Sequence, residues 1–190
     1  FGGTPVTPFD EDTQNGDITG YDITDEPEME PVVCAYVKEL AQTYGQDDRI
    51  LIWNIWNEAG NSQRLEKSVP LMKKVFAWMR EEDVKQPLTA DVWGAGAEHP
   101  YGWLKNPGIY ADVEKEAIAL SDIITFHFYG DYSHSRMYIK CLKEYGRPLI
   151  NTEWMHRPYR SIIQTHLPLW KKEKIGSYFF GFRSEERRVG

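Results

Sequence analysis

Cysteine is scarce in this chain: Cys34 and Cys141 are the only two among 190 residues. Each falls inside a helical pattern, so neither a disulfide framework nor a cysteine-rich zinc site is implied. Long apolar runs are missing too. None approaches the roughly 20 residues needed to cross a bilayer, so no membrane partner is expected. Positive charge is in deficit, with a formal charge of -7 and a pI near 5.3. Binding phosphate backbones needs a basic face, so nucleic acid is not expected as a partner either. No HExxH motif occurs, and His134, His156 and His166 lack ligand spacing. That pattern predicts no metal and no cofactor.

What is present is the composition of a globular domain, 41% hydrophobic and 27% charged, which suits an uncharged substrate. No secretory signal is visible, but the chain starts at Phe1 without a methionine, so localisation stays open, secretion included. Residues 1–30 are rich in Gly, Pro, Asp and Glu, with no Lys or Arg before Lys38, and read as an acidic loop. The run Asp10-Glu11-Asp12-Thr13-Gln14-Asn15-Gly16-Asp17 does not fall in the register of an EF-hand calcium loop. At the other end, residues 183–190 (Arg183 to Gly190) read like a translated sequencing adapter and are set aside. Arg187 and Arg188 are then no basic patch, and natural sequence is expected to stop near Phe182. The folded domain is expected over residues 31–182.

Within that span, strand and helix patterns alternate. Val33, Tyr36, Val37, Leu40, Ala41 and Tyr44 predict a helix over Pro31–Tyr44, stopped by Gly45. An apolar run from Leu51 to Asn57 follows. Ser68 is the expected N-cap of a helix with Pro70 in its first turn and Val69, Met72, Val75, Phe76 and Met79 as its stripe. Leu88–Trp93 reads as a strand, Asp112–Leu120 as a weaker helix, and Ile123–Tyr129 as a β-branched and aromatic strand. Met137, Tyr138, Cys141, Leu142 and Tyr145 mark the next helix, with Gly146 as a left-handed stop. Pro148–Thr152, a helix within Ser161–Lys174 blurred by Pro168, and a strand over Ser177–Phe182 complete the pattern.

Five strands with four intervening helical segments predict parallel pairing through crossovers. The fold class is α/β, a partial (β/α)8 TIM barrel with about five of eight strands present. The length, 190 residues, is short of the roughly 250 usual for that barrel.

Barrel strands share one functional face at their C-terminal ends, so Glu58, His127, Tyr129 and Glu153 are expected to converge there. A carboxylate that ends a buried strand is rigid, partly desolvated and aimed at a cleft. Two such groups about 5 to 5.5 Å apart suit retaining glycoside hydrolysis, in which one protonates the leaving oxygen and the other attacks the anomeric carbon. His127 and Tyr129, two apart on one strand, face the same side, where the phenol can hold the charged carboxylate. Asn57 is placed to bond a sugar hydroxyl. Trp93, Trp103 and Trp154, near predicted loop ends, offer flat faces for sugar rings, whereas Trp78 and Trp170 sit in helical patterns and read as structural. Asp91 reads equally as an extra polar group or a solvated strand residue.

Asn57-Glu58 after one strand, His127-Phe128-Tyr129 on a later one and Thr152-Glu153-Trp154 on the next resemble the signature order of clan A glycoside hydrolases. The likeness is to the family 2 and family 5 (cellulase-like) barrels and runs from about Ile50 to Phe182. It implies Glu58 as general acid/base after strand four, Glu153 as nucleophile after strand seven, and His127 and Tyr129 as a supporting pair after strand six. The substrate class implied is an oligo- or polysaccharide with β-linked sugars. Strands one to three of that pattern are absent, and with them the arginine and aromatic residues the clan places beside the nucleophile. The eighth strand ends in Tyr178-Phe179-Phe180 where the clan commonly has a tryptophan, a place Phe180 can partly fill. Two other readings stand beside this one: a catalytically silent carbohydrate-binding barrel, and an inactive fragment that cannot close its barrel.

Overall fold

A computed structural model describes residues 23–61, 64–94 and 110–180. The acidic run from Asp10, Trp103, Phe182 and the adapter-like tail lie outside the described residues.

The element order is α1 (Glu30–Tyr44), β1 (Trp53–Trp56), α2 (Val69–Glu81), β2 (Leu88–Ala90), α3 (Asp112–Leu120), β3 (Ile124–His127), α4 (Tyr132–Lys143), β4 (Leu149–Glu153), α5 (Ile163–Glu173) and β5 (Gly176–Ser177). All strand pairs are parallel, β1 with β2, β3 with β4 and β4 with β5. A bridge between Val92 and Phe126 joins the two sets, with His127 N–H donating to the Val92 carbonyl at 2.8 Å. Strand order thus matches chain order, the arrangement of consecutive barrel strands.

Two apolar clusters cover the outer face. The first packs α1, α2 and α3 on β1 and β2 through residues such as Val37, Trp56, Met72, Phe76 and Leu88. The second packs α4 and α5 on β3 and β4 through Phe126, Tyr138, Leu142, Trp154 and Trp170. The inner face carries Asn54, Thr89, Thr125, Ile150 and Thr152, which line a cavity of about 280 Å³. Thr152 on β4 reaches Asp91 beyond β2 at 2.7 Å, skipping the strand between them. In a flat sheet those strands would stand about 9.5 Å apart, so this contact requires the sheet to curl inward there.

Two ladder irregularities decide which way the strand-end side chains point. In β1 the register passes from Asn54↔Thr89 to Trp56↔Ala90, leaving Ile55 extra. In β3 and β4 it passes from Phe126↔Asn151 to His127↔Glu153, leaving Thr152 extra. Strict alternation would send Glu153 to the outer face, because Thr152 points inward. The extra residue turns it back in, as a β-bulge does.

Several local expectations are corrected. β1 stops short of Leu51, whose side chain is 71% exposed, because that part of the chain has no ladder partner among the described residues. β5 is two residues long, and Tyr178, Phe179 and Phe180 lie exposed beyond it. Tyr36, Tyr44, Met137 and Tyr145 fall at the margins of their stripes and are exposed, while Ser135 and Ile139 are buried instead. Ser68 does not cap α2 with its side chain; a 3-10 turn over Leu65–Ser68 runs into the helix, and the Ser68 hydroxyl accepts from Gly60 N–H at 3.2 Å. Gly45 keeps a right-handed φ of -60°, so it ends α1 by close packing rather than by a left-handed turn. A Cβ there would strike the Ala41 carbonyl oxygen and sit 2.7 Å from Val84 Cγ1. Gly146 does adopt the left-handed conformation, at φ +66°. Pro168 sits inside α5 without ending it.

Candidate active site

Glu58 follows β1 in a left-handed conformation, φ +51°, which is uncommon for a residue with a side chain and marks a place where the surroundings dictate the backbone. Its Oε1 accepts from His127 Nδ1 at 2.8 Å and its Oε2 from Asn61 Nδ2 at 2.7 Å. Glu153 ends β4, and its Oε2 accepts from the Tyr129 hydroxyl at 2.7 Å. His127 Nδ1 also lies 3.6 Å from Glu153 Oε2, so the ring stands between the two glutamates. Both glutamate side chains remain 20% exposed, enough to meet a ligand, while that of His127 is 2% exposed.

Behind the ring lies Asp91, fully buried, with Oδ1 at 3.5 Å from His127 Nε2. Asn54 Nδ2 donates to its Oδ2 at 2.5 Å and Thr152 Oγ1 to its Oδ1 at 2.7 Å. Burial opposes ionisation of Asp91, but the His127 ring and these two donors outweigh it and hold the carboxyl below its usual range. Burial likewise opposes a charge on His127. The hydrogen-bonded carboxylates of Asp91 and Glu58, with Glu153 nearby, reverse that and push the ring up to about 9. At neutral pH it is an imidazolium.

One ligand-type atom each from Glu58, His127 and Glu153 lies within 4.8 Å of the others. A cation could bridge such atoms in principle. While the ring is doubly protonated it has no lone pair to give, and the same atoms then form an ion-pair set; a metal would have to displace that proton.

The sequence matches the family described as cellulase (glycosyl hydrolase family 5) over residues 10–176. The chain belongs to glycosyl hydrolase family 5. No curated protein matches it. Among solved structures it resembles an endoglucanase at 14% identity and a TM-score of 0.53, over 84% of this chain and 61% of that one. This family 5 chain thus spans less than two thirds of that relative's length. That similarity is one of fold, and it is to a TIM-barrel glycosidase. Weaker likenesses are to the Ignisphaera aggregans GH53 catalytic domain (16% identity, TM-score 0.45, over 66% of this chain and 38% of that one) and to a putative β-galactosidase from Bacteroides fragilis (17%, 0.45, over 76% and 25%).

The remaining residues singled out in the sequence fall in different places. Asn57 is half-buried beside Glu58. Trp93 is half-buried against the first core, its indole N–H donating to the Ala59 carbonyl at 3.0 Å. Trp154 does not meet the expectation of a sugar platform. It is fully buried, stacked on His166 with ring centroids 5.9 Å apart and set edge-on to Trp170 and Phe179, so it offers no open face to a ligand. The bulge that turns Glu153 inward leaves the next residue pointing to the helix layer.

Sequence reasoning undervalues three side chains. Asp91 is an ionisable residue inside an apolar strand, which is the signal that could have raised it. Asn61, three residues after Glu58, holds one of its oxygens. Glu114, buried on α3, accepts from Trp93 N–H at 2.9 Å, Gly94 N–H at 2.7 Å and Ala111 N–H at 3.3 Å, and so fixes the start of the segment after β2.

Proposed function

We propose that this family 5 chain carries the catalytic face of a retaining glycoside hydrolase acting on β-linked glucans. The observation that supports this best is the approach of Glu58 and Glu153, with an oxygen of each within 4.8 Å of the other. That bound is compatible with the 5 to 5.5 Å carboxyl separation typical of retaining enzymes and lies below the 6.5 to 9.5 Å that leaves room for an inverting water. The family and the name of its endoglucanase relative support a glucan as substrate.

In the first step Glu153 attacks the anomeric carbon while the glycosidic C–O bond breaks and Glu58 gives its proton to the departing oxygen. In the second, water attacks the same carbon, Glu58 takes the water's proton and Glu153 leaves as a carboxylate. Tyr129 holds Glu153 in line through its hydroxyl. His127 faces both carboxyls, and one negative charge passes from Glu153 to Glu58 during the first step, so the imidazolium is beside that charge at both ends of the transfer. Asn57, Trp93 and Phe180 are the residues offered for contacts to the sugar.

The test is a 2-deoxy-2-fluoro β-glucoside with a dinitrophenolate leaving group, followed by mass spectrometry of the protein. The adduct is expected on Glu153. Turnover of aryl β-glucosides with the adduct on another residue overturns the assignment.

A further inference from the structure

We infer that Asp91 is a positioning residue, which keeps His127 a cation with its Nδ1–H aimed between Glu58 and Glu153. Both ring nitrogens of His127 face carboxylate oxygens: Nδ1 meets Glu58 at 2.8 Å and Glu153 at 3.6 Å, and Nε2 meets Asp91 at 3.5 Å. A neutral imidazole carries one N–H, so it would turn a lone pair toward either Asp91 or Glu153, the carboxylates that stay ionised when Glu58 holds the acid proton. The doubly protonated ring donates on both sides. These are the charged groups that face it among the described residues, from the ends of β1, β2 and β4.

Asp91 itself has no contact with the place where substrate would lie. It is fully buried, and its carboxylate is held by Asn54 from β1 and Thr152 from β4. A buried ionised carboxylate is costly unless it is paired and hydrogen-bonded, and this one is both. The donors stabilise the charge of Asp91, and that charge stabilises the charge of His127. The catalytic part of this inference rests on the glycosidase reading, whereas the protonation of the ring does not.

The two are separated by measuring the His127 imidazole directly, by ¹⁵N NMR titration of the full chain. The midpoint is expected near 9 in the parent protein. In Asp91→Asn the proton affinity of the ring is expected to fall at least about tenfold, since removing a neighbouring anion commonly moves such a group by one pH unit or more. Aryl-glucoside turnover in the same variant is expected to lose its alkaline plateau at correspondingly lower pH, with kcat falling and KM little changed. Thr152→Val keeps the carboxylate but removes one of its donors, so the His127 midpoint is expected to stay or rise, even if the protein melts earlier. A merely structural Asp91 would lower melting temperature in both variants and move neither midpoint. An unchanged midpoint in Asp91→Asn overturns the inference, and so does a parent ring that is neutral at pH 7, a result that remains decisive if Asp91→Asn does not fold.

Discussion

Tyr129 and Glu153 are joined by a 2.7 Å hydrogen bond from phenol to carboxylate, across two strands whose ladder slips at that level. A hydrogen bond to an ionised partner is worth about 1.5 to 3 kcal/mol. Tyr129→Phe is therefore expected to lower kcat/KM for an aryl β-glucoside by roughly 10- to 100-fold. Stability should change little, since Tyr129 is only half-buried. Equal kinetics in the two proteins would remove Tyr129 from the site.

Glu58 and Glu153 are expected to fail in different ways. Glu153→Gln abolishes turnover with every leaving group, because no covalent intermediate forms. Glu58→Gln loses protonation of the leaving oxygen, so it should retain the first step with dinitrophenolate, which needs no proton, and lose it with a sugar leaving group. Identical leaving-group dependence in both variants would contradict the assignment of roles.

The charge on His127 gives stability a definite pH dependence. Its folded-state value, raised to about 9, lies above the ordinary 6.5 of the unfolded chain. The stabilisation from this group is fully present below about 6.5 and is lost as pH rises through about 9. His166 works in the opposite sense. Burial holds that ring below its usual range despite hydrogen bonds to the Gly130 carbonyl and Ile162, so its contribution is present above the ordinary value and lost in acid. Melting temperature measured against pH should fall on both sides, and His127→Gln should flatten the alkaline side.

Trp154 is expected to act on folding and not on sugar affinity. Truncating a fully buried tryptophan to alanine costs about 3 to 5 kcal/mol, a large share of the stability of a small domain. Trp154→Ala should melt well below the parent or not fold, and Trp154→Phe should bind a cello-oligosaccharide as the parent does. A large loss of affinity in a stable Trp154→Phe protein would restore the tryptophan to the cleft.

The order of elements is legible in the sequence because apolar runs and helical stripes are local patterns. The parallel strands and the likeness to glycosidase barrels arise from that alternation. Element ends are less legible: β1 begins where its partner β2 begins, β5 ends at Ser177 although β4 runs on to Glu153, and no feature of Leu51 or Phe179 announces either. The meeting of Glu58, His127, Tyr129 and Glu153 can be read because each stands at or near a strand end, on the face where such ends gather. Asp91 cannot be read in this way. An aspartate among apolar neighbours looks the same whether it is solvated or buried, until Asn54, His127 and Thr152 are known to close around it. Trp154 is misjudged because a place near a predicted loop end does not fix which side a residue faces, and here the extra residue before it sets that side.

That extra residue makes the chemistry depend on the parity of a strand. Padding β3 by one position opposite Thr152 would preserve the hydrophobic character of the layer while rotating the acidic terminus of β4 away from the phenol and toward the helices. Homologues or designed variants that carry the same motif letters but lack this offset would present tryptophan to solvent and hide the glutamate, so transferring the site to another barrel requires copying the irregularity along with the residues.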